Sequence, residues 1–112
     1  SSAHINFKKQ ILTSKDGDTI LTLKELTPVR MLKNNFYSEI EKAYLQDASK
    51  HALEKLLGKG RAKRGMFLGD MDEGELEIGQ VASLLNSIKP AKCIIDEIIV
   101  EFNSAKKKCS KF

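Results

Sequence analysis

Tryptophan is absent from this chain, and proline, cysteine and histidine each occur only twice. Cys93 lies inside an apolar helical pattern and Cys109 in a lysine-rich end, so no disulfide framework is available and both read as reduced thiols. His4, near the start, and His51, between Lys50 and Ala52, pair with no cysteine or second histidine at ligand spacing, which excludes a zinc site. No apolar run approaches the roughly 18 to 20 residues of a membrane span, and the first residues do not form a signal peptide. A cytoplasmic protein without a membrane partner is expected. Nucleophile elbow, P-loop and dinucleotide fingerprint are all missing, so the chain's own residues hold no catalytic site.

What is present fits a modest globular unit. The 112 residues suffice for one domain, and an apolar share of 41% beside a charged share of 30% is ordinary for a folded protein. The net charge of +4 is unevenly spread. Lys59, Arg61, Lys63 and Arg64 form one basic cluster and Lys106, Lys107, Lys108 and Lys111 another, with an acidic run between them. That interruption, the 6% aromatic content and the lack of a zinc-finger, RNA-recognition or KH signature argue against a nucleic-acid partner. Residues 1–104 read as the folded segment and 105–112 as a flexible, lysine-rich tail. The chain opens Ser1-Ser2-Ala3-His4 without an initiator methionine, which suggests a piece of a longer gene product.

Periodicity predicts a mainly α segment with one short strand. Ile5 to Leu12 carries a weak helical face, closed by the turn cluster Ser14-Lys15-Asp16-Gly17-Asp18. Thr19-Ile20-Leu21-Thr22-Leu23 is the only convincing strand, and it lacks an evident partner for its backbone donors and acceptors. Pro28 is expected in the first turn of a helix running to Asn34-Asn35. Phe36, Ile40, Ala43 and Tyr44 mark a further amphipathic helix, and Ser49 caps another that ends at Gly58. Gln80 to Ile88 is expected as a helix with Val81, Leu84, Leu85 and Ile88 facing a core. Pro90 opens the last helix, whose wide face of Cys93, Ile94, Ile98, Ile99 and Phe102 demands a large partner surface.

The stretch RGMFLGDMDEGELEIGQ, Arg64 to Gln80, holds five carboxylates within eight residues, Asp70 to Glu77. A calcium loop starting at Asp70 would need glycine at its sixth position and glutamate at its twelfth, where Glu75 and Val81 stand, so that motif fails. The acids instead read as the N-terminal approach to a helix, complementing its dipole. The Gly58-Lys59-Gly60-Arg61 run could cradle a phosphate only if it offered amides. At a helix C-terminus it offers carbonyls.

Two blocks, DTILTLKELTPVRMLKN at Asp18 to Asn34 and GRAKRGMFLGDMDEGELEIGQVASLL at Gly60 to Leu85, resemble the C-terminal part of the nitronate monooxygenase (2-nitropropane dioxygenase) family. That family includes the FMN-dependent enoyl-acyl-carrier-protein reductases. The likeness rests on Pro28, Arg30, Leu32 and Asn34, then on Gly69, Asp70, Gly74, Gly79 and Gln80, with AHINFK at Ala3 to Lys8 ahead of them.

The resemblance implies the last third of an FMN-binding (β/α)8 barrel, not a complete barrel, since a whole one needs about 250 residues. Thr19 to Leu23 would be its last strand, paired with upstream strands, and most of the chain after it would be covering helices. FMN would belong to the parent oxidoreductase, of either the nitronate-oxidising or the enoyl-reducing kind. Arg30 would serve flavin phosphate or an acidic substrate group, or else tie its loop to a carboxylate. Gly79 and Gln80 would face flavin and substrate, or else merely start a helix. The family's catalytic histidine lies upstream, so the chain alone should be inactive, hold no FMN tightly and depend on the rest of the barrel, with self-association where that partner is missing. The alternative is a stand-alone helical module that docks a protein on its Ile94 to Phe102 face.

Overall fold

A computed structural model describes all 112 residues. Helix α1 spans Ile5–Thr13, strands β1 and β2 span Thr19–Thr22 and Val29–Leu32, and helices α2, α3 and α4 span Asn35–Leu45, Lys50–Leu57 and Ala91–Cys109. A π turn at Lys63–Phe67 and a 3-10 turn at Gln80–Leu84 lie between α3 and α4. The mainly helical expectation holds.

The strand of the first block is not an orphan. β1 pairs antiparallel with β2, Thr19 opposite Leu32 and Thr22 opposite Val29. The helix expected after Pro28 is therefore a strand, and one expected strand becomes a hairpin whose partner lies within the chain. Proline has no amide to lose at the first position of a strand, just as in the first turn of a helix, so Pro28 does not discriminate between the two. The helix start lies further on. Asn34 accepts a hydrogen bond from the Tyr37 amide and caps α2.

The hairpin separates two small cores. On one face Leu23, Met31, Phe36, Ile40 and Leu53 close against α2 and α3. On the other Phe7 of α1 meets Leu32 and Leu76. Alternation along β2 sends Met31 to the first and Leu32 to the second. Leu23 enters its core from a left-handed backbone, φ 53°, at the bend where β1 ends. Ser49 caps α3 through the Ala52 amide, and Gly58 ends it with φ 64°.

Beyond residue 79 the chain changes character. The helix expected over Gln80–Ile88 is a short 3-10 segment at Gln80–Leu84 followed by backbone without regular structure up to Pro90, which disfavours a helical residue before it. Only Ala82 of this stretch is buried; Val81, Leu84, Leu85 and Ile88 are exposed rather than core. α4 contains no buried residue at all, and Ile94, Ile95, Ile98, Ile99, Val100 and Phe102 stand in solvent. It reaches through Lys106, Lys107 and Lys108 to Cys109, so the boundary expected at 105 does not coincide with a helix end. Its 19 residues project about 28 Å. That projection raises the radius of gyration to 17.3 Å, where about 13 Å is usual for a chain of this length. No helix is long and apolar enough to cross a membrane.

Candidate functional site

The two blocks that carry the resemblance meet along one edge. Residues 75–78 lie beside β2 as an irregular third strand: the Leu32 amide donates to the Leu76 carbonyl at 2.9 Å, the Ile78 amide donates to the Arg30 carbonyl at 3.1 Å, and Met31 bridges Glu77. Asn34 completes the junction. Besides capping α2, its Nδ2 donates to the carbonyls of Met71 at 2.9 Å and Gly74 at 2.8 Å. Arg30 and the Gly79-Gln80 pair, fifty residues apart in sequence, are thereby carried on adjacent extended segments.

Glycine is required where the second block crosses itself. Gly65, in the π turn, and Gly74 pass backbone against backbone. A Cβ on Gly74 would lie 2.5 Å from the Asp70 carbonyl oxygen and 2.6 Å from the Gly65 nitrogen, and a Cβ on Gly65 would lie 2.7 Å from a Leu76 methyl. Gly69, with φ 84°, has the His4 ring against it, where a Cβ would lie 2.5 Å from Cε1. His4 caps α1 by accepting from the Asn6 amide, and Asn6 donates to the Gly69 carbonyl. The start of α1 is thus clamped to this loop.

The acids do not precede a helix, which corrects the expectation for this stretch. Asp70 instead builds a turn, accepting from the amides of Asp72 at 3.1 Å and Glu73 at 2.9 Å, and receives Arg64 Nε at 2.6 Å. The Glu73 amide, then Arg64, hold its carboxyl below the usual value. Glu73 engages the Asn35 amide group and lies 3.7 Å from Arg61. After the Gly65–Gly74 crossing the backbone is already extended, and the first helical turn waits until Gln80.

Sequence reasoning overlooked Arg61 and Glu75. The Arg61 guanidinium donates to the carbonyls of Leu56, Leu57 and Glu73, and stacks 4.3 Å from the Phe36 ring centroid. Beside it Glu75 is only 6% exposed. Burial first, and then the Glu77 carboxylate, push its carboxyl up to about 7, against the opposing pull of Arg61. The Glu-Leu-Glu-Ile alternation at Glu75–Ile78 was the available signal for a strand with both acids on one face.

Of the site residues expected from the sequence, Arg30 is half-buried, and its Nη1 donates across the hairpin to the Thr19 hydroxyl at 3.2 Å and carbonyl at 3.4 Å rather than to a carboxylate. Gly79 is exposed in extended backbone, and a Cβ there would meet nothing within 4 Å. No packing within this chain demands a glycine at 79. Gln80 is exposed at the head of the 3-10 turn. As a test of flavin fit, these three residues offer a guanidinium already engaged, an open backbone and a free amide. None of the three lines any of the chain's principal clefts.

No family profile matches the chain, and no curated protein is significantly similar to it. Solved structures do match. The likeness runs over nearly the whole of this chain but over a minor part of its counterpart, so the fold is that of one segment of a larger protein. One such structure is FabK from Thermotoga maritima: the chain aligns over 96% of its length and 34% of FabK, with TM-score 0.80 and 31% identity. A point mutant of that protein gives 98%, 32%, 0.75 and 29% in the same order. The chain therefore spans about a third of the FabK chains it matches.

Proposed function

We propose that this chain is a segment of an FMN-dependent enoyl-acyl-carrier-protein reductase of the FabK type, in which it forms one edge of the flavin and substrate site and covers part of the barrel. The observation that carries the reading is the alignment of nearly the whole chain, at 31% identity, with a third of FabK. This favours the enoyl-reducing over the nitronate-oxidising branch. The exposed apolar face of α4 supports a missing partner of matching size, which in this reading is the remainder of the barrel. Flavin, when bound, supplies hydride transfer. This chain's share is positional: Gly79 leaves room for close backbone approach, Gln80 offers a hydrogen-bonding amide, and Arg30 holds the adjacent strand through Thr19.

The test uses the longer protein that contains this segment. It is expected to purify with bound flavin and to oxidise a nicotinamide cofactor in the presence of an enoyl thioester. Gly79→Val is expected to lower flavin occupancy and turnover while leaving the fold intact by circular dichroism. A colourless longer protein, or one in which Gly79→Val changes neither quantity, would overturn the proposal. The 112-residue chain titrated alone is expected to leave flavin fluorescence unchanged at submicromolar FMN, because it holds one edge of the site.

A further inference from the structure

The hairpin loop, α3 and the edge segment enclose a cleft of about 190 Å³, with walls from Leu23, Leu26, Thr27, Pro28, Val29, Leu57, Glu75 and Glu77. No lysine or arginine lines it. Glu75 is only 6% exposed, yet its carboxyl accepts from no amide, hydroxyl or cationic group of the chain. Arg61 lies beside it but aims Nε, Nη1 and Nη2 at the carbonyls of Leu57, Glu73 and Leu56. No fully enclosed side-chain nitrogen or oxygen lacks a hydrogen-bond partner, so the Glu75 oxygens are the part of that residue left open, towards the clefts it lines. An acid covered to this degree is ordinarily met by a donor or a cation.

We propose that this cleft is a binding site for a primary ammonium carried on an aliphatic stem, with the buried Glu75 carboxylate as its anionic partner and the exposed Glu77 beside it. The walls select that ligand. An ammonium has three donors, and the cleft presents three acceptor groups, the Glu75 and Glu77 carboxyls and the Thr27 hydroxyl. A guanidinium brings five donors in a rigid plane, and a divalent metal ion asks for roughly six oxygens, more than these walls offer. Leu23, Leu26, Pro28, Val29 and Leu57 give an apolar lining for methylenes. At about 190 Å³ the cleft is smaller than the roughly 300 Å³ at which sites for drug-sized ligands begin, and suits a single chain of this kind. Burial pushes the Glu75 carboxyl up to about 7 against the pull of Arg61, and an ammonium beside it would act with Arg61 to bring it down. Two sources can present the group, a lysine from the remainder of the longer protein or a free amine. The cleft belongs to this chain's own fold, so its occupancy stands or falls apart from the proposed activity.

The experiment is an NMR titration of the full 112-residue chain with n-butylammonium chloride, at a pH where Glu75 is ionised and at constant ionic strength. Its uncharged counterpart, 1-butanol, is the control. The methyl groups of Leu26, Val29 and Leu57 are expected to shift and saturate with butylammonium, at a concentration about tenfold below that needed with butanol. The Glu75 carboxyl midpoint is expected to fall in its presence, and Glu75→Gln to abolish the preference for the charged ligand. Equal responses to the two ligands, or none that saturates in the millimolar range, would overturn the site. Should the variant fail to fold, the comparison of the two ligands on the unaltered chain decides alone. The longer protein separates the sources. A retained butylammonium response there assigns the site to a free amine, and a lost response with the Glu75 midpoint brought down assigns it to a lysine of the same protein. A lost response with that midpoint still at about 7 would overturn the proposal.

Discussion

Replacing Gly74 by alanine tests the crossing that builds the edge strand. The new methyl carbon would lie 2.5 Å from the Asp70 carbonyl oxygen and 2.6 Å from the Gly65 nitrogen, and closer still to the Gly65 Cα. Carbon requires well over 3 Å from each of these. All are backbone atoms, so no rotamer change can make room. Overpacking against movable side chains costs about 1–3 kcal/mol. With only backbone to move, the cost should reach the upper end, about 3 kcal/mol. For a chain of this length that is a fall in Tm of roughly 10 °C. The shift would be read by far-ultraviolet circular dichroism during heating and by urea denaturation, with Gly79→Ala as the control. Position 79 has φ −78° and open space, so alanine there should alter stability by less than about 0.5 kcal/mol. If Gly74→Ala melts with Gly79→Ala, the two segments do not cross as described, and the placement of residues 75–80 falls with them.

Arg61→Met keeps the aliphatic stem but abandons three carbonyls and Glu73; a loss of about 2–3 kcal/mol in urea unfolding is expected. Arg61→Lys should recover little of it, because one ammonium cannot reproduce the planar fork, and full recovery would show that charge alone matters there. The raised Glu75 carboxyl makes stability fall as pH rises from about 4.5 to about 7, since the folded chain holds that proton more tightly than the unfolded one; the ceiling is about 3 kcal/mol. Asp70, with its carboxyl held low, acts in the opposite sense, and its contribution is lost as pH falls below its ordinary range. Denaturation midpoints across pH should therefore peak near the lower end of this window, and Glu75→Gln should flatten the descending limb; an unchanged limb would refute the assignment. Sedimentation of the isolated chain should show association that weakens on Ile98→Glu, because the α4 face is uncovered; a monomer at high concentration would count against it.

Local chemistry made much of this fold legible. Ser49 and Gly58 bracket α3 because one supplies a side-chain acceptor for an orphan amide and the other tolerates a left-handed backbone, both properties of single residues. Pro28 misled because a residue without an amide fits the start of a strand as well as that of a helix, and the deciding partner, β1, lies across a turn. The acids of Asp70 to Glu77 misled for a different reason. Their counterparts are Arg61, Arg64 and Asn35, brought to them by the Gly65–Gly74 crossing, which no local period encodes. Glu75 is the extreme case: an acid in an acidic run reads as solvated, and only the tertiary placement of Leu57 and the hairpin loop buries it. Gly79 and Gln80 stood out by their resemblance to a family pattern, and the chain's own packing gives no independent reason for either.

The uneven distribution of apolar residues ties these points together. The two cores that pin the first block to the second are small and use residues up to Ile78, with Ala82 the only buried position after it. The larger apolar supply, from Val81 through Phe102, buries almost nothing here, although its spacing on α4 is that of a helix built to pack. A sequence that needed only to fold by itself would have little use for so much exposed isoleucine. In the proposed parent the same residues would be the adhesive that holds this segment against the barrel, and the edge strand would then be fixed from two sides, by β2 and by the partner. The Gly79-Gln80 pair sits where these two regimes meet: it directly succeeds Ile78, the last residue packed against the two cores, and precedes the largely exposed apolar stretch. In the proposed parent, docking of α4 would hold that position still.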